Sequence, residues 1–343
     1  MQRPDTQFFT ISDPKYFVGT VALVNSLRVS GRDEPITVLD CGFDTRQRAL
    51  LEPHCRLVPF DPTAVGSASP AWMKAYPYIL GADGSIVIID SDAVVTGGLD
   101  EVLDASEQGR VSAITGATPD RWFREWEDLF HLSSTPRHQP YVSAAFVAFS
   151  TRRWPGLLSG WWSRCQATWG KADTRGRVSE LSKDPVKLLD QDVLNGLLMT
   201  ELPRDALDAL PRERGPAGAV LLEECTVQDV RSLRCTCKGM STLIVHHSGG
   251  RFPWHPDRRV AWRKWSPAYV ALLRRLLFGS DVPIRLERSQ LPLWLHATVG
   301  GRSLEQVLSA GARSRYAFRK ARRARKKRAA SADAPIEMVS GVG

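Results

Sequence analysis

The chain has 343 residues, of which 43% are apolar. This is enough to bury the core of one large α/β domain or two smaller ones, and it excludes a chain that is disordered throughout. The formal net charge is +9, but residues 313–328 carry ten Lys or Arg and no acid, so the first 312 residues are close to neutral and a basic globular body is excluded.

The sequence has no window of about 18 apolar residues, and its first residues, "MQRPDTQFFTIS", lack the uninterrupted apolar stretch of a secretory signal. We therefore expect a cytoplasmic protein. The six cysteines are too sparse and irregular for a disulfide framework, which favours reduced thiols. Cys225, Cys235 and Cys237 could form half of a zinc site, but their single Cys-x-Cys lacks the paired spacing, and buried packing is the preferred interpretation.

The first 41 residues predict a strand, a helix and a second strand. "QFFTI" is the first strand and a polar turn follows over residues 12–16. The next segment places Val21, Val24 and Leu27 at helical spacing before Gly31, and "PITVLDC" is the second strand. A βαβ unit of this length favours a parallel sheet with its ligand loops at the carboxyl ends of the strands.

The segment "GSIVIIDSD", residues 84–92, predicts a third strand that is apolar on both faces and ends in two aspartates. Because side chains alternate along an extended strand, Asp90 and Asp92 point to the same side and could share a divalent cation. Oxygen ligands suit Mg²⁺ or Mn²⁺, which keep open positions for phosphate oxygens and water. The alternative is an acidic turn that is compensated by water alone.

A second apolar run, "TLIV", ends at His246 about 150 residues further on. One imidazole added to Asp90 and Asp92 completes a coherent set of metal ligands, and the nitrogen ligand favours Mn²⁺ or a later transition metal over Mg²⁺. A purely structural histidine is the alternative. His247 would point to the opposite face of the strand, where we expect it to pack.

The segment "QPYVSAAFVAFS" predicts another strand, and "LLDQDVLNGLL" predicts the start of a helix. Asp190, Gln191 and Asp192 open that helix, where acids are favoured as caps in the first turn. A cap gains little from Gln191, however. An amide flanked by two carboxylates also suits the recognition of sugar hydroxyl groups.

The sequence changes character after residue 256, where tryptophans alternate with Arg and Lys. Ser266 and Pro267 are typical of a helix start and Gly279 of its end, with a leucine-rich face between them. A second helix is predicted to begin at Ser303, where Ser-Leu-Glu-Gln resembles a capping box. We divide the chain into a main domain over 1–256, a Trp/Arg-rich helical extension over 257–312, and a basic tail over 313–343, helical or disordered.

Four segments, in order, resemble the motifs of glycosyltransferase family 8. They are "FFTISDPKYFVGTVALVNSL", "IIDSDAVVTGGLDEV", "DQDVLNGL" and "HHSGGRFPW", and the resemblance covers residues 7 to 254. It implies a GT-A type, Rossmann-like α/β fold, with a mostly parallel sheet flanked by helices and, here, a C-terminal helical basic extension. It also implies a retaining hexosyltransferase that uses a UDP-sugar donor.

The resemblance assigns site residues to three groups. Asp90, Asp92 and His246 would bind Mn²⁺ or Mg²⁺, Gln191 would lie beneath the anomeric carbon, and Asp190 would contact the sugar. The residues expected to bind the nucleotide sugar are Thr10, Ser12, Asp13, Tyr16, Lys74, Asp90, Ser91, Ser143, Gly249 and Arg251. Among them, Lys74 is expected as a second phosphate contact.

Two positions depart from the family pattern. The lysine that grips the diphosphate in the family is Phe252 here, and the neighbouring Arg251 is the expected replacement. The family's Asn-Ala-Gly at the donor sugar is replaced by Ser143-Ala144-Ala145, which removes an amide and adds a methyl group. Both departures concern the donor.

The expected mechanism follows from the residue types. A cation that accepts the charge of the leaving diphosphate removes the need for a protonated general acid. Gln191 cannot take a proton at neutral pH, which favours retention, by front-side attack or through a transient covalent adduct, over inversion. The expected acceptor is a cell-surface glycan or glycolipid.

The basic tail leaves three interpretations open: an anionic membrane, nucleic acid, or a tail that only contacts water. We favour the membrane, which would place the protein at the inner face of the cell membrane, and regard nucleic acid as the weaker alternative. Two other functions remain as alternatives for the whole chain. These are a nucleotide-sugar-binding protein whose catalysis was impaired by Phe252, and a nucleic-acid binder that acts through the tail.

Overall fold

A seven-stranded mixed sheet forms the centre of the computed structural model. The structure describes residues 5–61, 70–168, 184–188, 190–249, 252–263 and 265–296, together with Arg3, Thr298 and scattered residues between 303 and 325. The described strands are β1 (Thr6–Ser12), β2 (Ile36–Asp40), β3 (Arg56–Pro59), β4 (Ser85–Ile89), β5 (Ala93–Val95), β6 (Val111–Thr115), β7 (Val142–Ser150), β8 (Leu207–Leu210), β9 (Cys225–Asp229), β10 (Arg234–Cys237), β11 (Met240–Ser241) and β12 (Ile244–His246).

The order of strands in the central sheet is β3-β2-β1-β4-β7-β6-β8. β7 runs antiparallel to both of its neighbours, and the other pairs are parallel. The predicted mostly parallel α/β sheet is therefore confirmed. β5 and β12 form a separate two-stranded sheet, and β9, β10 and β11 form a three-stranded one.

Helices cover both faces of the sheet. The α-helices are α1 (Phe17–Val29), α2 (Thr45–Leu51), α3 (Asp100–Glu107), α4 (Trp126–Leu129), α5 (Pro155–Thr168), α6 (Asp190–Thr200), α7 (Gly218–Leu222), α8 (Arg258–Arg263) and α9 (Pro267–Phe278). Short 3₁₀ helices span Pro70–Tyr78, Arg204–Ala206, Arg212–Arg214, Arg288–Gln290 and Leu293–Leu295.

Strand β4 shows why its sequence is apolar throughout. Val87 and Ile89 belong to the core that contains α1 and α9, whereas Ile86 and Ile88 belong to the core that contains α5 and α6. Because successive side chains point to opposite faces, a strand that is covered on both sides needs an apolar residue at every position. The predicted third strand is confirmed with this register.

The predicted start and end of the C-terminal helix α9 are also confirmed. The hydroxyl of Ser266 accepts a hydrogen bond from the backbone N–H of Tyr269, Pro267 is the first helical residue, and Gly279 follows the last. Leu273 and Leu276 on its apolar face are fully buried.

Helix α9 packs on α1 within the same core as the first strands, so the boundary that we placed after residue 256 does not coincide with a change of core. Asn25 of α1 stabilises this contact with three hydrogen bonds. Its amide nitrogen donates to the carbonyl oxygens of Leu276 and Ile284 at 2.7 Å each, and its side-chain oxygen accepts from the N–H of Ile284 at 3.1 Å. The predicted helix from Ser303 and the basic tail lie largely outside the described residues.

All six cysteines are free. Cys225 of β9 lies opposite Cys237 of β10, and Cys235 and Cys237 are buried. The described residues contain one group of three or more potential metal ligands close together, and it is not formed by these thiols. The burial of Cys235 and Cys237 agrees with their preferred interpretation as packing residues.

Candidate functional site

Strand pairing brings Asp90, Asp92 and His246 together. Asp90 follows β4, Asp92 precedes β5, and antiparallel pairing of β5 with β12 sets His246 opposite Ala93, the neighbour of Asp92. His246 Nε2 lies 3.0 Å from Asp92 Oδ1 and 3.5 Å from Asp90 Oδ2, and one ligand atom from each residue lies within 4.8 Å of the others. The predicted grouping of two carboxylates and one imidazole is present.

The loop that carries the two aspartates is held from several sides. The backbone N–H of Asp90 donates to the carbonyl of Ala145 in β7, and the carbonyl of Asp92 accepts from the N–H of His247 at 3.0 Å and from the hydroxyl of Tyr269 at 2.9 Å. Tyr269 belongs to α9 and is fully buried. The C-terminal part of the chain thus positions the Asp92 loop.

Helix α1 lies directly against the same loop because it has glycine at position 19. A Cβ atom at Gly19 would lie 2.5 Å from the carbonyl oxygen of Ser91 and 3.2 Å from the Cα of Asp92. Glycine in a helix interior costs about 1 kcal/mol relative to alanine, so its presence here is explained by the close approach. The sequence signal for this contact is an isolated glycine within the helical pattern.

Lys74, from the 3₁₀ helix Pro70–Tyr78, reaches the carboxylates from the other side. Its Nζ lies 2.7 Å from Asp90 Oδ1 and 3.6 Å from Asp190 Oδ2, and it donates to the carbonyl of Ala144 at 3.1 Å. Burial lowers the pKa of Lys74, but the charges of Asp90 and Asp190 outweigh burial and raise it above its ordinary value. Lys74 therefore stays charged and offsets part of the negative charge.

The neighbouring carboxylates also shift the protonation of His246 and Asp190. Burial lowers the pKa of His246, whereas the Coulombic attraction of Asp92, its hydrogen bond and the charge of Asp90 raise it, with a net rise above the ordinary value. Burial raises the pKa of Asp190 to about 7, with Lys74 opposing and Asp90 adding to the rise. Both side chains are more than nine-tenths buried.

A first cleft of about 510 Å³ opens beside the aspartate loop. It forms where the parallel strands β1 and β4 end next to each other, as expected for a ligand site in an open α/β sheet. The predicted nucleotide-site residues that line it are Ser12, Asp13, Tyr16, Lys74, Asp90, Ser91 and Gly249, together with the metal-site residues Asp92 and His246. The structure therefore gathers most of the predicted donor residues around one cleft.

Among the described nucleotide-sugar residues, Thr10 and Ser143 do not line the first cleft. Thr10 is buried within β1 and is not part of the lining of this cleft, so its contact with a nucleotide stays a prediction. Arg251 lies outside the described residues. Asp13 lines the cleft and also shapes it, because its Oδ1 accepts hydrogen bonds from the backbone N–H groups of Lys15 and Tyr16 before α1 begins.

Phe252 packs among aromatic rings at one wall of the cleft. Its ring stacks on Trp254, with centroids 4.5 Å apart and an interplanar angle of 1°, and it meets Tyr16 edge-on at 4.5 Å. The side chain is 4% exposed. At the position where the resemblance predicts a lysine, this chain has a buried aromatic stack that fixes the wall of the cleft.

A second cleft of about 840 Å³ adjoins the first and shares Asp90, His246 and Ser248 with it. Ser143 and Gln191, both predicted to lie near the donor sugar, line this second cleft. Gln191 is oriented by the backbone N–H of Ala144, which donates to its Oε1 at 3.1 Å. Asp90 and His246 therefore lie at the boundary between the two clefts, whereas Asp92 lines the first one.

Asp192 has a structural role that the sequence did not reveal. Its oxygens accept hydrogen bonds from Arg121, at 2.7 and 2.8 Å, and from the hydroxyl of Tyr141 and the N–H of Leu188. The guanidinium also lies 4.8 Å from the ring centroid of Phe123. This fully buried ion pair anchors the start of α6, and thus Gln191, to the body of the protein.

Comparisons with known proteins support the fold. No family model and no curated protein matches the chain. The solved structures include the bifunctional glycosyltransferase WbbM, which is 16% identical, has a TM-score of 0.51 and aligns over 81% of this chain and 50% of its own. They also include the galactosyltransferase LgtC in complex with donor and acceptor sugar analogues, which is 14% identical with a TM-score of 0.49 and aligns over 78% of this chain and 95% of its own.

The chain thus spans about half the length of WbbM. The likeness to WbbM concerns the fold, and it agrees with the mostly parallel sheet and its flanking helices. The protein therefore has the predicted GT-A glycosyltransferase fold.

Proposed function

We propose that the protein is a divalent-metal-dependent glycosyltransferase that moves a hexose from a UDP-sugar to a glycan or glycolipid acceptor with retention of configuration. The observation that carries the proposal is the group of Asp90, Asp92 and His246, of which Asp90 and His246 line both clefts. A transferase needs this arrangement because donor and acceptor must meet at one charged centre. A simple nucleotide-binding protein needs one cleft.

The donor set fits Mn²⁺, or Mg²⁺ as the alternative. Two carboxylate oxygens and one imidazole nitrogen converge, Asp92 and His246 are buried, and Lys74 limits the excess of negative charge. When bound, the ion would supply a Lewis acid for the charge of the leaving diphosphate. Ser12, Asp13 and Tyr16 would hold the nucleotide in the first cleft.

The proposed retention rests on Gln191. Its Oε1 is held by the N–H of Ala144, so the amide is fixed at the wall of the second cleft and can donate from its nitrogen. An amide is not a base at neutral pH, and in this proposal the donor's own phosphate oxygen takes the acceptor proton. Asp190, buried beside Lys74, would support the sugar from the same helix start.

A second candidate is a nucleotide-sugar-binding protein without turnover, and Phe252 is the observation that favours it. A buried aromatic ring cannot neutralise a diphosphate, and its packing between Tyr16 and Trp254 leaves it no polar contact to offer. Lys74 would then be the described cation closest to the metal group. The two candidates differ in whether Lys74 alone can neutralise the diphosphate well enough for turnover.

The test is a panel of UDP-sugars assayed for UDP release, first with Mn²⁺ and then with chelator. We expect one or a few sugars to be turned over, with loss of activity on chelation and recovery when Mn²⁺ is restored. NMR of the product then reports whether the anomeric configuration is retained. UDP-sugar binding without turnover under any metal would support the second candidate and contradict the first.

A further inference from the structure

The second cleft has a basic rim, which we define as Arg212 and Lys238. Both residues line this cleft, and neither lines the first one. Arg212 comes from the 3₁₀ helix Arg212–Arg214, and Lys238 comes from the turn between β10 and β11. Two separate segments of the chain therefore bring a cation to the same opening.

The two cations are linked through Glu213. Lys238 Nζ lies 2.9 Å from Glu213 Oε1, and Glu213 is the residue next to Arg212. The three side chains together carry one net positive charge, so the carboxylate holds the lysine in place without cancelling the charge of the rim. The pKa of Glu213 is lowered, first by its hydrogen bond to Lys238, and it stays ionised.

Arg212 differs from the other arginine of the same turn. Arg214 pairs with Glu101, with Nη2 and Oε2 3.0 Å apart, and is not part of the cleft lining. Arg212 is half-buried at the cleft, and among the described residues no carboxylate lies within ion-pairing distance of its guanidinium. A guanidinium presents several N–H donors in a plane that matches phosphate or carboxylate oxygens.

Lys238 occupies a backbone conformation that lysine rarely adopts. Cys237 pairs with Met240, so Lys238 and Gly239 form a two-residue hairpin loop with φ of +49° and +84°. Positive φ at both positions is typical of Asn-Gly or Gly-Gly, and the Cβ atom of a lysine makes this conformation strained. Strained backbone conformations cluster at functional sites, so the side chain of Lys238 is a candidate for a functional role.

We propose that the acceptor bound in the second cleft carries an anionic group, a phosphate or a carboxylate, that is recognised by Arg212 and Lys238. This inference rests on the proposed function, because it treats the second cleft as the acceptor side. Phosphate and carboxylate share the oxygen geometry that the rim recognises, and the experiment separates them. The apolar side chains Ile114, Leu188 and Leu221 line the same cleft and suit the remaining, uncharged part of the acceptor.

The experiment measures binding, so that it does not depend on turnover. Full-length protein is saturated with Mn²⁺ and UDP to fill the first cleft, and three probes are titrated by NMR: glucose 6-phosphate, glucuronate and methyl glucoside. The variants are Arg212→Gln and Lys238→Gln, with Arg214→Gln as the matched control from the same turn. Binding of Mn²⁺ and UDP is measured separately and reports on the proposed function.

We expect at least one anionic probe to bind wild-type protein more tightly than methyl glucoside, with a loss of about tenfold in Arg212→Gln and a smaller loss in Lys238→Gln. Arg214→Gln should bind as wild type does. A preference between glucose 6-phosphate and glucuronate identifies the group. Equal binding of methyl glucoside, no binding of either anionic probe, or equal losses in Arg212→Gln and Arg214→Gln would overturn the inference, even where Mn²⁺ and UDP bind.

Discussion

At the scale of the residue, the chemistry of the site depends on an imidazole placed against two carboxylates. His246 and Asp92 are both buried, and their contact of 3.0 Å can hold either a proton or, with Asp90, a cation. Proton and metal therefore compete for the same atoms. This competition makes the site testable through both substitution and pH.

The first prediction concerns the carboxylate of Asp92. Replacing it in Asp92→Asn keeps the size of the side chain but removes the charged ligand oxygen, and we expect Mn²⁺ affinity to fall by about 100-fold or more. Isothermal titration with Mn²⁺ measures the effect. Asp128→Asn, an exposed acid of α4, serves as the control and should bind Mn²⁺ as wild type does. Unchanged affinity in Asp92→Asn would contradict the assignment.

The second prediction concerns pH. Because the pKa of His246 is raised above 6.5, protons already compete with the metal above that pH, and apparent Mn²⁺ affinity should fall by up to about tenfold per unit as pH decreases further. In metal-free protein, the free energy of unfolding has the opposite pH dependence. Protonated His246 stabilises the folded state below the pKa of the unfolded state, and this stabilisation is lost as pH rises through the pKa of the folded state. Between pH 5.5 and 8.5, Mn²⁺ titrations test the first trend and denaturation of metal-free protein tests the second. His246→Asn is the comparison in both. A pH-independent Mn²⁺ affinity would be inconsistent with a histidine ligand.

At the scale of the element, helix α1 and strands β5 and β12 determine where the metal ligands lie. The antiparallel pairing of β5 and β12 sets the distance between Asp92 and His246, and α1 supports the aspartate loop through Gly19. A change in either contact should move ligand atoms without removing any of them.

The third prediction is that Gly19→Ala weakens metal binding although it favours the helix. A methyl group at this position would lie 2.5 Å from the carbonyl oxygen of Ser91, so the loop or the helix must shift. We expect Mn²⁺ affinity to fall by roughly tenfold, the lower end of the effect of an altered ligand support. Gly156→Ala in α5 is the matched control, because a Cβ atom there meets nothing within 4 Å. Equal affinity in both variants would show that the loop does not depend on this contact.

The fourth prediction concerns the buried ion pair of Arg121 and Asp192 at the start of α6. Removing the guanidinium in Arg121→Met leaves Asp192 buried with its charge uncompensated, and we expect the free energy of unfolding to fall by about 3–5 kcal/mol. Urea denaturation measures the loss. Arg152→Met, which removes an exposed arginine that pairs with Asp5 and Asp83, should change stability little. A comparably small loss in Arg121→Met would contradict this role.

At the scale of the whole molecule, the sequence predicts those parts of the fold and the site that have a local sequence pattern. Periodicity and caps predicted β1, α1, β4 and α9, and the two strand ends predicted the grouping of Asp90 and Asp92 with His246. The pair Arg121–Asp192 and the contacts of Asn25 join residues that are 71 and more than 250 positions apart, so no local pattern reports them. The edge-on contact of Phe252 with Tyr16, 236 positions away, depends in the same way on tertiary structure.

The fifth prediction concerns the basic segment 313–328, whose role rests on the sequence. Ten cations at an anionic membrane contribute about 1 kcal/mol each at most, so full-length protein should co-sediment with vesicles that contain phosphatidylserine and release at high salt. A chain truncated after residue 312 should remain in solution. RNA binding is measured in parallel, and tighter binding to RNA than to vesicles would favour the nucleic-acid alternative.

We expect Asp90, Asp92 and His246 together to hold a divalent cation where the two clefts share Asp90 and His246. The most direct measurement is the anomalous diffraction of crystals grown with Mn²⁺ and UDP, recorded at the manganese absorption edge. We expect one strong peak within coordinating distance of all three side chains. A peak elsewhere, or its absence with UDP bound, would contradict it.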